Sequence, residues 1–142
     1  MQHILPIEII DLQGEGMHLF LSTKAGRKTC RLLIDTGASR TVFDAERFSR
    51  LLPKAELELL QQLSTGLGSN SVQSQSGIIP RLKLGEIVLK DFAVVVLDLS
   101  HVNQSYQQLG FPEIDGVLGS DVLFKMKAEI DYGRAQLRLI QE

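Results

Sequence analysis

The sequence predicts a single, mostly β domain with one or two short helices. Apolar and polar residues alternate over much of the chain, which is typical of strands that bury one face. Clear helical spacing is limited to residues 43–63, and no linker, repeat or shift in composition divides the chain. A chain of 142 residues is long enough to bury a core of its own, so residues 1–142 are predicted to form one domain.

Composition and charge exclude several classes of function. The residues are 44% hydrophobic and 23% charged, which is typical of a soluble globular protein. The formal net charge of -2 argues against binding to nucleic acid or to an anionic membrane, because both need a basic surface. No apolar run approaches the roughly 20 residues of a membrane span, and residues 1–10 do not resemble a secretory signal. We therefore expect a cytoplasmic protein.

The residues that most often bind metals are few and scattered. Cys30 is the single cysteine, so it cannot form a disulfide within the chain. His3, His18 and His101 show none of the spacings that are typical of a metal site. The sequence therefore predicts neither a metal site nor a cofactor.

The N-terminal part of the chain is predicted to form a β-hairpin. Residues 17–21 alternate as a first strand, and residues 24–27 supply a turn. The second strand runs through residues 30–34 and ends at Asp35.

Residues 43–63 contain the predicted helix. Asp44 is a candidate N-cap, and Phe48 and Leu52 follow helical spacing. Pro53 is expected either to end this helix or to begin a second short turn.

Residues 64–77, STGLGSNSVQSQSG, form a glycine- and serine-rich segment between the helix and the later strands. An irregular loop of about 12–15 residues inside a compact domain is unusual unless it has a function. We therefore expect a functional loop at this position.

The remainder of the chain is predicted to return to β-structure. Residues 81–89 alternate around a turn, and residues 92–98, FAVVVLD, are predicted to form a central strand buried on both faces. Residues 100–112 are interpreted as a polar connection. Residues 114–124 contain an apolar pair, a glycine and a short helix, and residues 128–140 form a final hairpin.

Two motifs in these elements carry chemistry. Residues 32–39 read LLIDTGAS, and residues 116–121 read GVLGSD. An ionised carboxylate is rarely buried without a partner, so the first motif brings Asp35 either to a surface turn or to a cleft. With both motifs in this order, residues 15–141 resemble the retropepsin-like branch of the aspartic proteinase family. The resemblance implies a closed, barrel-like β fold and an aspartic endopeptidase activity.

The resemblance also implies roles for individual residues, with Asp35 as the catalytic residue. The residues expected to support the catalytic loop are Thr36, Gly37, Ala38, Val117, Leu118 and Gly119. The residues expected to contact a peptide substrate are Gly37, Ser39, Gly68, Ser69, Asn70 and Ser71, the last four at the tip of a flap formed by residues 66–77.

Hydrolysis in this family needs two carboxyl groups a few ångström apart that share one proton. This chain has one D-T-G sequence, so the resemblance implies that the second Asp35 comes from an identical subunit in a C2 homodimer. The terminal strands, Ile4–Ile10 and Gln136–Ile140, are the candidate interface elements, because edge strands pair readily with other strands.

Other interpretations stay open at this point. Asp35 is also compatible with an ordinary turn at the end of a strand, or with a phosphate-binding hairpin, although no G-x-x-x-x-G-K-[ST] loop is present. The same fold is also compatible with a catalytically silent, dimeric peptide-binding or interaction module. Retroviral members usually have acidic residues where this chain has Ser39 and Arg40. Arg40 is expected either to pair with Asp121 or to leave both charges solvated.

Overall fold

The computed structural model describes residues 1–14, 16–59 and 74–142, and within them the chain is mostly β, as predicted. The strands are β1 (Gln2–Pro6), β2 (Glu8–Asp11), β3 (Met17–Ala25), β4 (Lys28–Ile34), β5 (Val42–Asp44), β6 (Glu58–Leu59), β7 (Gln75–Leu84), β8 (Ile87–Leu97), β9 (Gly116–Leu118), β10 (Glu129–Asp131) and β11 (Gln136–Ile140). The helices are α1 (Ala45–Leu51), α2 (Ser100–Gln108) and α3 (Ser120–Lys125).

Six of the strands close into a barrel. Their order is β3-β4-β9-β5-β8-β7, and a second pairing joins β7 back to β3 through Lys24 with Lys83 and Ala25 with Leu82. The strand β2 extends this sheet beside β3, and β6 extends it beside β7. The predicted closed β fold is therefore confirmed.

The strand β8 runs through the middle of the sheet, between β5 and β7. The side chains of Val94, Val95 and Val96 are all buried, so successive residues face apolar surroundings on both sides. This confirms the prediction of a central strand, with burial on both faces at residues 94–96, whereas Ala93 and Asp98 are exposed.

The helix α1 begins as predicted but is shorter than the stretch 43–63. Asp44 caps it, since the Asp44 carboxylate accepts a hydrogen bond of 3.1 Å from the backbone N–H of Arg47. The helix ends at Leu51, because a residue that precedes a proline, here Leu52, disfavours helical dihedral angles. Residues 58–59 then form β6 and are not helical.

The prediction of a polar connection over residues 100–112 is wrong, because residues 100–108 form α2. With α1 and α3, the described residues contain three short helices, where the sequence predicted one or two. Polar contacts hold α2 in place. The buried side-chain amide of Asn103 donates to the carbonyl oxygen of Ile114 at 3.0 Å and accepts from its N–H at 2.8 Å.

The terminal strands form a separate three-stranded sheet in the order β1-β11-β10, which we call the terminal sheet. The strand β11 (Gln136–Ile140) lies in the middle and pairs on both sides within the chain. The expectation that Gln136–Ile140 provides a pairing edge is therefore wrong. The other expected segment, Ile4–Ile10, includes parts of β1 and β2, and each of these is at the edge of its sheet.

The predicted flap falls mostly outside the described residues. Residues 75–77 belong to β7, which pairs antiparallel with β6 through Glu58 with Ser76 and Leu59 with Gln75. The expected flap-tip residues lie outside the described residues; they are Gly68, Ser69, Asn70 and Ser71.

Candidate active site

The strand β4 delivers Asp35 to one end of the barrel, next to β9. The two strands pair in parallel, with Leu33 opposite Val117 and Ile34 opposite Leu118. The backbone N–H of Asp35 continues this ladder by donating to the carbonyl oxygen of Leu118 at 3.0 Å. The two sequence motifs, about 80 residues apart, therefore lie side by side.

A tight turn places the Asp35 carboxylate. The N–H of Gly37 donates to Asp35 Oδ1 at 2.9 Å, and the N–H of Ala38 donates to the Asp35 carbonyl oxygen at 3.2 Å. A Cβ atom at position 37 would lie 3.3 Å from the same Oδ1. Glycine at this position therefore permits close approach of the backbone to the carboxylate.

Gly119 lies against the backbone of the Asp35 loop, by which we mean residues 35–41. A Cβ atom on Gly119 would lie 2.7 Å from the Arg40 carbonyl group and 2.8 Å from the Ala38 carbonyl oxygen. The next residue, Ser120, donates its N–H to that Ala38 oxygen at 2.7 Å. Only glycine leaves room for this contact, because the neighbouring atoms belong to the backbone and cannot rotate away.

Thr41 and Asp121 connect the Asp35 loop to α3. Thr41 is fully buried, and it donates to the Asp121 carboxylate through both its N–H at 3.0 Å and its hydroxyl at 2.8 Å. The Thr41 hydroxyl oxygen accepts from the N–H of Gly119 at 3.1 Å. Of the two alternatives left open for Arg40, pairing with Asp121 is not found, since Thr41 holds this carboxylate and Arg40 forms no ion pair within the described residues.

The Asp35 side chain opens into a cleft of about 320 Å³, which we call the Asp35 cleft. In the single chain, most residues of the loop beside this cleft are exposed, among them Asp35, Thr36, Gly37 and Ser39. Ala38 is half-buried. Five of the nine residues that line the cleft have apolar side chains, and the other four, Asp35, Thr36, His18 and Tyr132, carry polar groups. Its lining residues are Met17, His18, Leu19, Leu33, Ile34, Asp35, Thr36, Ile130 and Tyr132.

Two residues near this cleft were missed by sequence reasoning, His18 on β3 and Tyr106 on α2. The His18 Nδ1 atom and the Tyr106 hydroxyl are 2.7 Å apart. Burial raises the pKa of Tyr106 to about 12, while the charge of Arg31 acts to lower this pKa and that of Asp35 to raise it. The phenol therefore stays protonated at ordinary pH. Nothing in the local sequence indicates this pair, because 88 residues separate its members.

The described residues meet the requirements neither of a metal cluster nor of a membrane-spanning helix. The described parts of the chain contain no group of three or more His, Cys, Asp or Glu residues that could hold a metal ion. Within the same ranges, every helix is too short or too polar to cross a membrane.

Comparison with known proteins decides the family. A family model described as "Aspartyl protease" matches residues 22–122, which include the whole Asp35 loop and Gly119. The chain belongs to the aspartyl protease family. No curated protein matches it.

Solved structures similar to this member of the family share its fold. A retropepsin-like aspartic protease from Rickettsia conorii is 17% identical, with a TM-score of 0.56 over 98% of this chain and 88% of that one. The retroviral protease-like domain of Ddi1 from Leishmania major is 16% identical, with a TM-score of 0.55 over 86% and 87%. EIAV protease, solved with the inhibitor HBY-793, is 20% identical, with a TM-score of 0.57 over 86% and 99%. The retropepsin-like fold is therefore confirmed.

Proposed function

We propose that this protein is an aspartic endopeptidase that hydrolyses peptide bonds as a C2 homodimer, with Asp35 as its catalytic residue. The observation that carries the proposal is the position of Asp35. Its carboxylate is held by Gly37 at the mouth of a cleft, at the end of a strand that is fixed to Leu118. The cleft and the pairing with β9 distinguish Asp35 from an ordinary turn aspartate, because Asp11 and Asp98 in exposed turns accept the same hydrogen bond from the N–H two residues later.

The reaction needs two such carboxyl groups. One Asp35 carboxylate takes a proton from water, and the protonated Asp35 of the other copy polarises the scissile carbonyl. Two carboxylates that lie a few ångström apart cannot both be ionised, so the pair of Asp35 side chains retains one proton. Because one chain supplies a single Asp35, the site is incomplete without a second copy. The exposure of Asp35 in the single chain agrees with this requirement.

Of the two edges of the terminal sheet, β10 is the one suited to dimer formation. A two-fold axis that brings two Asp35 residues together must pass close to the Asp35 cleft. Ile130 of β10 and the adjacent Tyr132 line that cleft, and β10 pairs with β11 on one side. The other terminal edge, β1, is two strands away, at about 4.8 Å per strand. We therefore place the interface along β10.

We assign the support of the catalytic loop to six residues: Thr36, Gly37, Ala38, Val117, Leu118 and Gly119. Gly37 and Ser39 are exposed beside Asp35 and are assigned to substrate contact. The flap over residues 66–77 stays a prediction. The hydrogen-bonded pair β6 and β7 flanks it, as expected for the base of a hairpin that adds to a bound peptide strand.

Replacement of the catalytic carboxylate tests the proposal. We expect Asp35→Asn to fold and dimerise normally but to lose casein hydrolysis by at least about 10²–10⁴-fold, because an amide can neither accept nor share the proton. The matched control is Asp91→Asn, an exposed aspartate with a positive φ that asparagine tolerates. Equal hydrolysis by both variants, or none by the wild type, would contradict the proposal. Peptide binding without hydrolysis would instead favour a catalytically silent binding module.

A further inference from the structure

We propose that His18 forms a polar subsite in the Asp35 cleft and selects substrates with a hydrogen-bond acceptor, of the glutamine or glutamate type, in the side chain nearest to the scissile bond. This inference rests on the proposed function, because it describes how the same cleft recognises a peptide. It depends on three features of the cleft: the position of His18, the contact with Tyr106 and the rigid support of this pair.

The first feature is the position of His18 in the cleft. His18 is half-buried on β3, and it lines the same cleft as Asp35. Most of the neighbouring side chains in this cleft are aliphatic, among them Met17, Leu33 and Ile130. A substrate side chain that enters beside Asp35 therefore contacts aliphatic side chains, the His18 imidazole and the hydroxyls of Thr36 and Tyr132.

The second feature is the contact with Tyr106, from which we assign the hydrogen-bonding role of that imidazole. The Tyr106 hydroxyl lies 2.7 Å from His18 Nδ1 and is the only partner of this nitrogen within the described residues. A protonated phenol can donate to Nδ1, and a neutral imidazole that accepts at Nδ1 carries its hydrogen at Nε2. The Nε2–H group is then a donor, so its complement on a substrate is an acceptor.

The third feature is the rigid support of this pair. The rings of Tyr106 and His18 meet edge to face at 5.7 Å, and Phe20 packs edge-on against Tyr106 at 5.6 Å. The Arg31 guanidinium lies 4.0 Å from the centre of the Phe20 ring. Tyr106 is buried, and its helix α2 is anchored by Asn103. His18 is thus presented by a packed cluster, as a specificity contact requires.

We expect the preference for an acceptor side chain to appear as a difference in hydrolysis rates between peptides. After a cleavable peptide has been found, Gln, Glu and Met are placed in turn at each of the two positions that flank its scissile bond. At one position, we expect the wild type to prefer Gln or Glu over Met by about tenfold in kcat/KM, the effect of one hydrogen bond. The comparison of Gln with Glu shows whether the donor favours an amide or a carboxylate.

Four variants assign the selection to His18. His18→Phe should lose the preference, and His18→Gln should retain part of it, because the carboxamide offers N–H donors. Tyr106→Phe should reduce it, since Nδ1 loses its donor and the tautomer is no longer fixed. The control is His101→Phe, an exposed histidine in the first turn of α2, which should leave the preference unchanged. If His18→Phe does not fold, the preferences of His18→Gln and Tyr106→Phe are compared with that of the wild type instead.

A binding measurement separates this inference from the proposed function. The Asp35→Asn protein is titrated with uncleaved Gln and Met peptides while the imidazole nitrogen signals of His18 are followed by NMR. A shift with the Gln peptide alone supports the subsite even if the wild type cleaves nothing. Cleavage with an unchanged Gln-to-Met ratio in His18→Phe, or an unmoved His18 signal in the binding experiment, would overturn the subsite and leave the protease assignment intact.

Discussion

Backbone hydrogen bonds join the Asp35 loop to the rest of the chain, whereas two strands of the terminal sheet leave one side unpaired within the described residues. In the loop, the backbone groups of Asp35, Ala38 and Thr41 all bond to partners in the same chain, among them Leu118, Ser120 and Asp121. In the terminal sheet, the central strand β11 is paired on both sides, while β1 and β10 each have one unpaired side within the described residues. The loop is therefore held by contacts within the chain, while β10 has the unpaired edge on which the proposed dimer depends.

The difference also appears in packing tolerance. Gly119 beside the loop has no room for one additional carbon atom. In the turn between β10 and β11, a Cβ atom added to Gly133 would lie 3.5 Å from its nearest neighbour, which is an ordinary contact distance. Substitutions in the loop region should therefore reduce stability, while substitutions in the terminal sheet should change association. Single substitutions in the two regions distinguish these two kinds of effect.

The largest effect is expected for Gly119→Ala. The added carbon would overlap the backbone of Ala38 and Arg40, so we expect the free energy of unfolding to fall by about 3 kcal/mol, the upper part of the range for overpacking. Gly133→Ala is the matched control and should change the free energy of unfolding by less than about 0.5 kcal/mol. Denaturant unfolding measures both values. Equal losses would mean that the loop region is no more tightly packed than the terminal sheet.

A smaller loss of stability is expected for Thr41→Val, which keeps the shape of the side chain and removes its hydroxyl. The N–H of Gly119 then loses its acceptor, and Asp121 loses one donor, so the free energy of unfolding should fall by about 2 kcal/mol. Thr29→Val, at an exposed position of β4, is the control and should be nearly neutral. If the two variants unfold at the same denaturant concentration, the Thr41 network does not stabilise the loop.

An effect on association is expected for Tyr132→Glu. Tyr132 is 60% exposed beside β10, and a charge there should weaken the proposed dimer on the order of tenfold, or about 1.4 kcal/mol. Ile4→Glu, at a residue of β1 that is 49% exposed, should leave the dimer constant unchanged. Sedimentation equilibrium measures both constants. A weaker dimer with Ile4→Glu alone would move the interface to β1.

The smallest effect is expected for Ala38→Ser on the pH dependence of hydrolysis. A hydroxyl at this position can donate toward the carboxylates and so favours their charged form. The pair would then lose its shared proton at lower pH. The upper limb of the pH–rate profile should therefore move toward acid by about 0.5 pH unit, equivalent to about 0.7 kcal/mol. A shift toward alkali would show that residue 38 influences the carboxylates differently.

Much of the fold could be predicted from the sequence, because it depends on local patterns. The alternation of residues 17–21, the apolar run at 92–98 and the cap at Asp44 each correspond to an observed element. The helix α2 could not be predicted in this way. Its buried residues are Asn103 and Tyr106, and they bond to partners elsewhere in the chain, Ile114 in the loop before β9 and His18 on β3.

In the candidate site, too, some features could be predicted from local sequence and others could not. The sequence by itself determined the two motifs that carry Asp35 and Gly119, the single D-T-G and therefore the expectation of a second copy. The tertiary structure decided that β11 is paired on both sides, that Thr41 rather than Arg40 holds Asp121, and that His18 and Tyr106 meet beside Asp35. These outcomes depend on contacts between residues far apart in the chain, and such contacts leave no periodic pattern in the local sequence.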